Sequence, residues 1–228
     1  MSIFKFALVR NSRNLTSLIV ICVIPIVLML IPAFWTGAWH QGFYLYALQI
    51  MVGSFMLARG ILNDRIDKTI YRILSTPISM YNYLIQNLLA YLLPLFVQIV
   101  LVVSIGTLLY DWDTAFSFAL ILCYTVFAIA SVSMSFAWCC LFRNKHSNVS
   151  AFAILTTLVG FIGGFWFPIN LLPEYIRFLG MLFPAYWVSN GINALGIYGL
   201  NGEYWLSLTA MLLFSAVYLL YGGKRRII

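Results

Sequence analysis

Two histidines, six carboxylates and four cysteines are the side chains that could carry chemistry in this 228-residue chain. An enzyme built from them would need a metal cluster, a paired acid and base, or an activated nucleophile. No HExxH, GxSxG or paired-acid arrangement occurs. His40 and His146 fall on opposite sides of the apolar segments that separate them and cannot share a site. Gly223-Lys224 lacks the upstream glycine of a phosphate-binding loop, and Arg225 stands where Ser or Thr is required. The sequence therefore predicts no enzyme, no metal and no catalytic residue in the chain itself.

Cys22, Cys123, Cys139 and Cys140 lack metal-ligand spacing, and a structural disulfide is not expected. Small apolar filler is the simplest reading, with lipid attachment at Cys139-Cys140 as the alternative.

The elements that must position these groups are apolar. The chain is 63% hydrophobic and 8% charged, with a mean hydropathy of +0.97, against about 25% charged residues in a soluble domain. Soluble enzymes and nucleic-acid-binding domains are excluded despite the net charge of +7. An all-α, multi-pass membrane protein is expected.

A spanning helix needs about 20 mostly apolar residues. Six stretches meet this: Leu15–Phe34, Phe43–Leu62, Tyr83–Tyr110, Ala115–Phe142, Val149–Phe167 and Tyr204–Tyr221. In that six-span arrangement one side carries Lys5, Arg10, Arg13, Arg59, Arg65, Lys68, Arg72, Arg143, Lys145, Lys224, Arg225 and Arg226. The other side holds Arg177 with Asp111, Asp113, Glu174 and Glu203. Positive-inside bias places both termini in the cytoplasm, and six of the seven tryptophans fall at or beyond the outer ends, as an interfacial belt would. No convincing cleavable signal peptide opens the chain.

The spans carry no Asp, Glu, Lys or Arg at mid-depth, which disfavours an ion-coupled carrier. Their polar groups are Gln49, Gln98, Ser104, Thr125 and Thr157, suited to helix–helix hydrogen bonds or to contact with a polar solute.

Three connecting pieces are informative. Residues 1–14 form a basic interfacial helix. Residues 63–78 form a short amphipathic helix with Asn63 as its N-cap, Asp64, Arg65, Lys68 and Arg72 on one face, and Pro77 as its stop. It could lie on anionic lipid or act as a lever docked into another subunit. Residues 168–200 contain Pro168, Pro173 and Pro184 and are too interrupted for a span, which predicts a re-entrant or interfacial hairpin on the outer side, ahead of the last span.

These pieces, in this order, resemble the permease subunits of type-2 ATP-binding-cassette exporters. The family pairs a Glu-Arg and Gly-Thr coupling segment after span two with an outer Gly-x-x-x-Pro and Leu-Pro segment after span five. Here Asp64-Arg65 and Lys68-Thr69 precede Ser75-Thr76-Pro77-Ile78-Ser79, and Gly164, Pro168, Leu172-Pro173 and Ile176 precede Pro184-Ala185-Tyr186-Trp187. Asp for Glu at 64 and Lys for Gly at 68 are the departures.

The resemblance implies that 1–228 is one transmembrane domain, paired with a second permease copy and two cytoplasmic ATP-binding subunits that use ATP and magnesium. It implies contact with the ATPase through Asp64, Arg65, Asp67, Lys68, Thr69, Arg72 and Pro77. Pro168, Pro173, Pro184 and Trp187 would shape the outer gate. Gly160-x-x-x-Gly164 suits either a permease–permease interface or packing within one subunit. The implied activity is export of a hydrophobic or amphipathic compound, such as a drug, antibiotic peptide or lipid, with a link to antibiotic resistance. A lipid-linked glycan or polysaccharide is the second cargo class; a passive channel and a non-transporting scaffold are the other classes. Membrane lipid is an expected partner, nucleic acid is not, and a bacterial plasma membrane is the expected location.

Overall fold

The computed structural model describes residues 3–12, 17, 19–36, 40–67, 69, 80–142 and 144–224, and among these it contains helices and turns but no strand. In chain order, α1 (Ile3–Ser12) is followed by a π-helical stretch (Ile19–Val23) that runs into α2 (Ile24–Met29), and then by α3 (Ala33–Thr36). The long helices α4 (Gln41–Ile66), α5 (Met80–Tyr110) and α6 (Thr114–Cys139) precede α7 (Lys145–Ile162). A 3₁₀ turn (Ile169–Leu171), α8 (Glu174–Gly180), α9 (Pro184–Tyr198) and α10 (Gly202–Lys224) complete the order.

Among the described residues, four helices are long and apolar enough to cross a membrane: Gln41–Ile66, Tyr81–Tyr110, Thr114–Cys139 and Gly202–Gly222. The first and fifth expected spans take another form. Within Leu15–Phe34, Pro25 has no N–H to give the preceding turn, and its ring crowds the carbonyl four residues back. The chain widens to a π-helix at that place, and Pro32 follows the end of α2. The fifth segment is helical only to Ile162. Gly164 there takes φ +83°, and the Phe165 N–H returns 2.8 Å to the Gly160 carbonyl, the closing bond of a Schellman turn.

Helix α6 is the hub, packed against α4, α5, α9 and α10. Its apolar contacts are pinned by hydrogen bonds that consume polar groups at membrane depth. The Tyr124 hydroxyl donates to the Phe43 carbonyl at 2.9 Å, and Tyr204 donates to Ala119 at 2.8 Å. Ser133 and Ser215 join α6 to α10 at 2.9 Å. Of the mid-span polar residues, Thr125 and Thr157 bond carbonyls of their own helices, whereas Gln49 and Gln98 join two helices.

The outer segment folds as a 3₁₀ turn and two helices, each opened by a proline. Pro168 precedes the turn, Pro173 stands at the N-cap of α8, and Pro184 is the first residue of α9. A proline fits there because the first N–H groups of a helix have no intrahelical partner. The Trp187 indole N–H donates to the Met181 carbonyl at 2.9 Å and ties α9 to the turn before it. At 15 residues α9 is shorter than a span, yet it buries Val188, Ser189 and Ile192 within the bundle.

Candidate functional site

The charged residues expected to contact a partner begin at the end of α4. That helix does not restart at Asn63. It continues through Asn63, Asp64 and Arg65 to Ile66, and the Asp67 N–H closes it on the Asn63 carbonyl at 2.9 Å. Asn63 is therefore an interior helical residue and not an N-cap. Lys68, Arg72 and Pro77, with the rest of 70–79, lie outside the described residues, as does the expected i,i+4 pairing of Asp64 with Lys68.

Asp64 is turned into the protein. Arg10 Nη1, from α1, lies 2.7 Å from both Asp64 carboxylate oxygens, and Tyr83, from α5, donates its hydroxyl to Oδ2 at 2.6 Å. The other Arg10 nitrogen, Nη2, donates to the Tyr91 hydroxyl at 2.6 Å. Four side chains from three helices thus close one network. Relative exposures of 23% for Arg10 and 13% for Asp64 place it at the protein's edge, out of bulk water. Burial disfavours the Arg10 charge, but Tyr91 and Asp64 facing it raise its pKa above the ordinary value, so it stays a cation.

Gly60 makes the network possible. A Cβ at that position would lie 2.8 Å from the Arg10 guanidinium carbon. A side chain there would oblige the Arg10 arm to shift from its present hold on Asp64.

Arg65 turns to another neighbour. Its Nη1 donates to the Cys139 carbonyl at 2.9 Å, at the last residue of α6, where helix carbonyls lack intrahelical donors. Cys139 also receives the Asn148 amide at 3.7 Å from α7. Asp64 and Arg65 therefore clasp the ends of α1, α5 and α6. Asp67 is exposed and Thr69 half-buried. The six α4 residues Gly60–Arg65 act as an internal joint, and the exposed surface of the segment begins beyond them.

Higher in the bundle, Gln98 Nε2 donates to Gln49 Oε1 at 2.7 Å, and Gln49 Nε2 donates to the Val20 carbonyl at 2.9 Å. Val20 sits five residues before Pro25, the spacing at which a π-helix would seek an N–H that proline lacks. The amide fills that vacancy and links the first apolar segment to α4 and α5. The Tyr46 hydroxyl is buried and has no hydrogen-bond partner among the described residues.

Gly160 and Gly164 make their close approaches inside the chain. A Cβ on Gly160 would meet the Trp166 and Phe165 rings at 3.2 and 3.4 Å, and one on Gly164 would meet Ile169 Cγ1 at 2.5 Å. Both glycines are buried against residues of their own chain. The outward face of α7 is apolar instead, with Ile154, Leu158 and Phe161 exposed.

At the opposite end of the bundle from Asp64, a cavity of about 730 Å³ opens between α3, the start of α4, the end of α5 and the outer segment. Trp35, Tyr44, Tyr110 and Trp112 line it with His40, Pro168 and Asn193. Trp35 and Trp112 pack with centroids 5.4 Å apart, and the Tyr110 hydroxyl is held on the Met29 carbonyl at 2.6 Å. Pro168 is thereby at a cavity wall, while Pro173, Pro184 and Trp187 set the helices behind it.

The Arg10 network has no signature in the sequence. Arg10 looked like one more basic residue of an interfacial helix, and a partner 54 positions away leaves no local signature. A family model described as ABC-2 family transporter protein matches residues 41–223. No curated protein matches the chain.

Proposed function

The chain belongs to the ABC-2 transporter family and is a multi-pass membrane protein; from that premise we propose that it is the permease of an ATP-driven exporter of hydrophobic or amphipathic compounds. Members of this family work with ATP-binding cassette subunits. ATP hydrolysis is assigned to two copies of such a subunit, which hold the ATP and magnesium, and the permease pairs with a second copy through the apolar outward face of α7. Six membrane-embedded segments with both termini in the cytoplasm, and α8–α9 re-entering from outside, complete the topology of this reading. It places the complex in a bacterial plasma membrane.

The observation that carries the reading is the joint at Asp64 and Arg65. A lever must transmit a push from the coupling segment to the spans without bending. Arg10, Tyr83 and Tyr91 bind Asp64 to α1 and α5, and Cys139 binds Arg65 to α6. Movement of the exposed end of α4 at Ile66 and Asp67 would thus be passed to three helices at once. ATP-driven closure of the cassette pair would push there and at α1, and the first, second and fifth segments would rearrange to release cargo outward.

The aromatic cavity supports a second cargo class. The part-exposed rings of Tyr44 and Trp112 suit stacking on sugar rings, with buried Trp35 packed behind them, as a lipid-linked glycan or polysaccharide would offer.

The test is partner capture. The tagged chain, purified from its own membranes, retains an ATP-binding cassette subunit, and Asp67→Lys releases it while leaving the melting temperature unchanged. Retention of no ATPase, or equal retention by Asp67→Lys and by a charge reversal at Glu174 on the far side, would contradict the reading.

A further inference from the structure

A narrow cavity of about 360 Å³ runs between the first apolar segment and α5, apart from the Asp64 joint and the outer cavity. Its volume lies in the range of about 300–1,000 Å³ typical of small-molecule sites. We infer that this groove holds one acyl chain of a bilayer phospholipid, from the leaflet on the α1 side, with the chain's ester carbonyl on Asn11.

Length is the first argument. On α5 the groove follows Leu93, Val97, Leu101 and Ile105, four residues at one-turn intervals along a single face. Twelve residues of helix extend about 18 Å, close to the depth of one leaflet, half of a hydrocarbon core about 30 Å thick. Exposure is the second. The floor, at Ile21, Leu57 and Val102, is 2–3% exposed, whereas the α5 rim at Leu93, Val97 and Leu101 is 48–57% exposed. The groove therefore opens sideways, where a membrane protein meets lipid tails.

Polarity supplies the third argument and gives the groove a direction. At its α1 end Asn11 is only 9% exposed, and its Nδ2 has no hydrogen-bond partner among the described residues. A buried amide donor without an acceptor is costly in an apolar setting, and native structures rarely leave one so. The ester carbonyl of a phospholipid sits where its acyl chain begins, at the interface, and can accept from that amide. Leu8 of α1 lines the same end, so the headgroup would lie beside α1 and the chain would descend along α5.

The full chain in dodecyl maltoside is exposed to phosphatidylcholine carrying a diazirine in one acyl chain, irradiated, and digested for mass spectrometry. Adducts are expected on the peptides carrying Cys22 and Val97, and excess dioleoyl phosphatidylcholine should remove them. Val97→Trp, which fills the groove from a half-exposed position, should cut labelling at least tenfold, a loss of about 1.4 kcal/mol or more in binding. Asn11→Leu should reduce it about three- to tenfold, the equivalent of one neutral hydrogen bond. Leu108→Trp, on an exposed site outside the groove, serves as the folding control and should change nothing.

Labelling that rises in proportion to probe without competition would overturn the assignment. So would equal labelling in Val97→Trp and the parent chain. Absence of adducts in the groove, together with oxidative cross-linking through Cys22 between two chains, would replace the lipid with a second copy.

Discussion

Arg10 Nη1 stands 2.7 Å from both carboxylate oxygens of Asp64, joining α1 to the end of α4 across 54 positions of sequence. Ion pairs at an exposed surface contribute little, about 0–1 kcal/mol, but this one also engages Tyr83 and Tyr91 and is mostly withdrawn from water. It is best regarded as a joint whose value lies in rigidity and in the cost of breaking it.

Removing one member should therefore hurt more than removing both. Arg10→Ala or Asp64→Ala is expected to destabilise the protein by about 1–3 kcal/mol, below the ~3–5 of a fully buried pair, because Arg10 is 23% exposed. The double variant Arg10→Met with Asp64→Leu should recover part of that loss. Thermal unfolding in detergent, taken through the double-mutant cycle, measures the coupling directly. Strictly additive losses would mean that the pair contributes nothing.

Gly60 offers a way to disturb the same joint without touching a charge. In Gly60→Val the new side chain occupies the space of the Arg10 guanidinium, so the Arg10 arm should shift and its hold on Asp64 loosen. The expected readout is faster proteolysis within α1 while α6 and α10 stay protected. A proteolysis pattern matching the parent chain would contradict the close approach.

The amide relay predicts a smaller effect. Gln49→Leu leaves the Val20 carbonyl and the Gln98 amide without the partners they now have. Interhelical hydrogen bonds in membranes average about 0.6 kcal/mol, so the loss should be about 1 kcal/mol for the two bonds together. Unfolding of the variant in detergent checks it, and a gain in stability would show that the relay is strained.

Gly164 and Gly160 separate helix capping from subunit contact. Gly164→Ala forces a Cβ onto a residue at φ +83° and against Ile169, with an expected loss of about 1–3 kcal/mol. Oligomeric state, followed by light scattering, should not change. Loss of a dimer at unchanged thermal stability would instead place this glycine at a subunit interface.

The long apolar runs that became α4, α5, α6 and α10 were legible because hydropathy alone requires them to be helices in lipid. The prolines at 168, 173 and 184 were legible as interruptions, though their role as helix starters needed the backbone. Pro25 was visible in the first apolar segment, but the π-helix it produces was not. Gly160-x-x-x-Gly164 was ambiguous because a packing motif and a Schellman end use the same letters. The amphipathic pattern puts Asp64 on a charged face with Arg65 and Lys68, and the resemblance adds contact with the ATPase. Within the chain it pairs with Arg10 and Tyr83, from α1 and α5, and no local periodicity encodes those partners.

The central claim is that this chain moves cargo with energy supplied by a separate ATPase. Its most direct test is ATP turnover by the co-purified complex in proteoliposomes, measured against a panel of amphipathic peptides and lipophilic drugs. The account predicts that at least one compound stimulates turnover, and that Arg10→Ala abolishes the stimulation while leaving the ATPase bound and its basal rate intact. Compound flux in vesicles containing the permease alone, with no ATPase present, would contradict it.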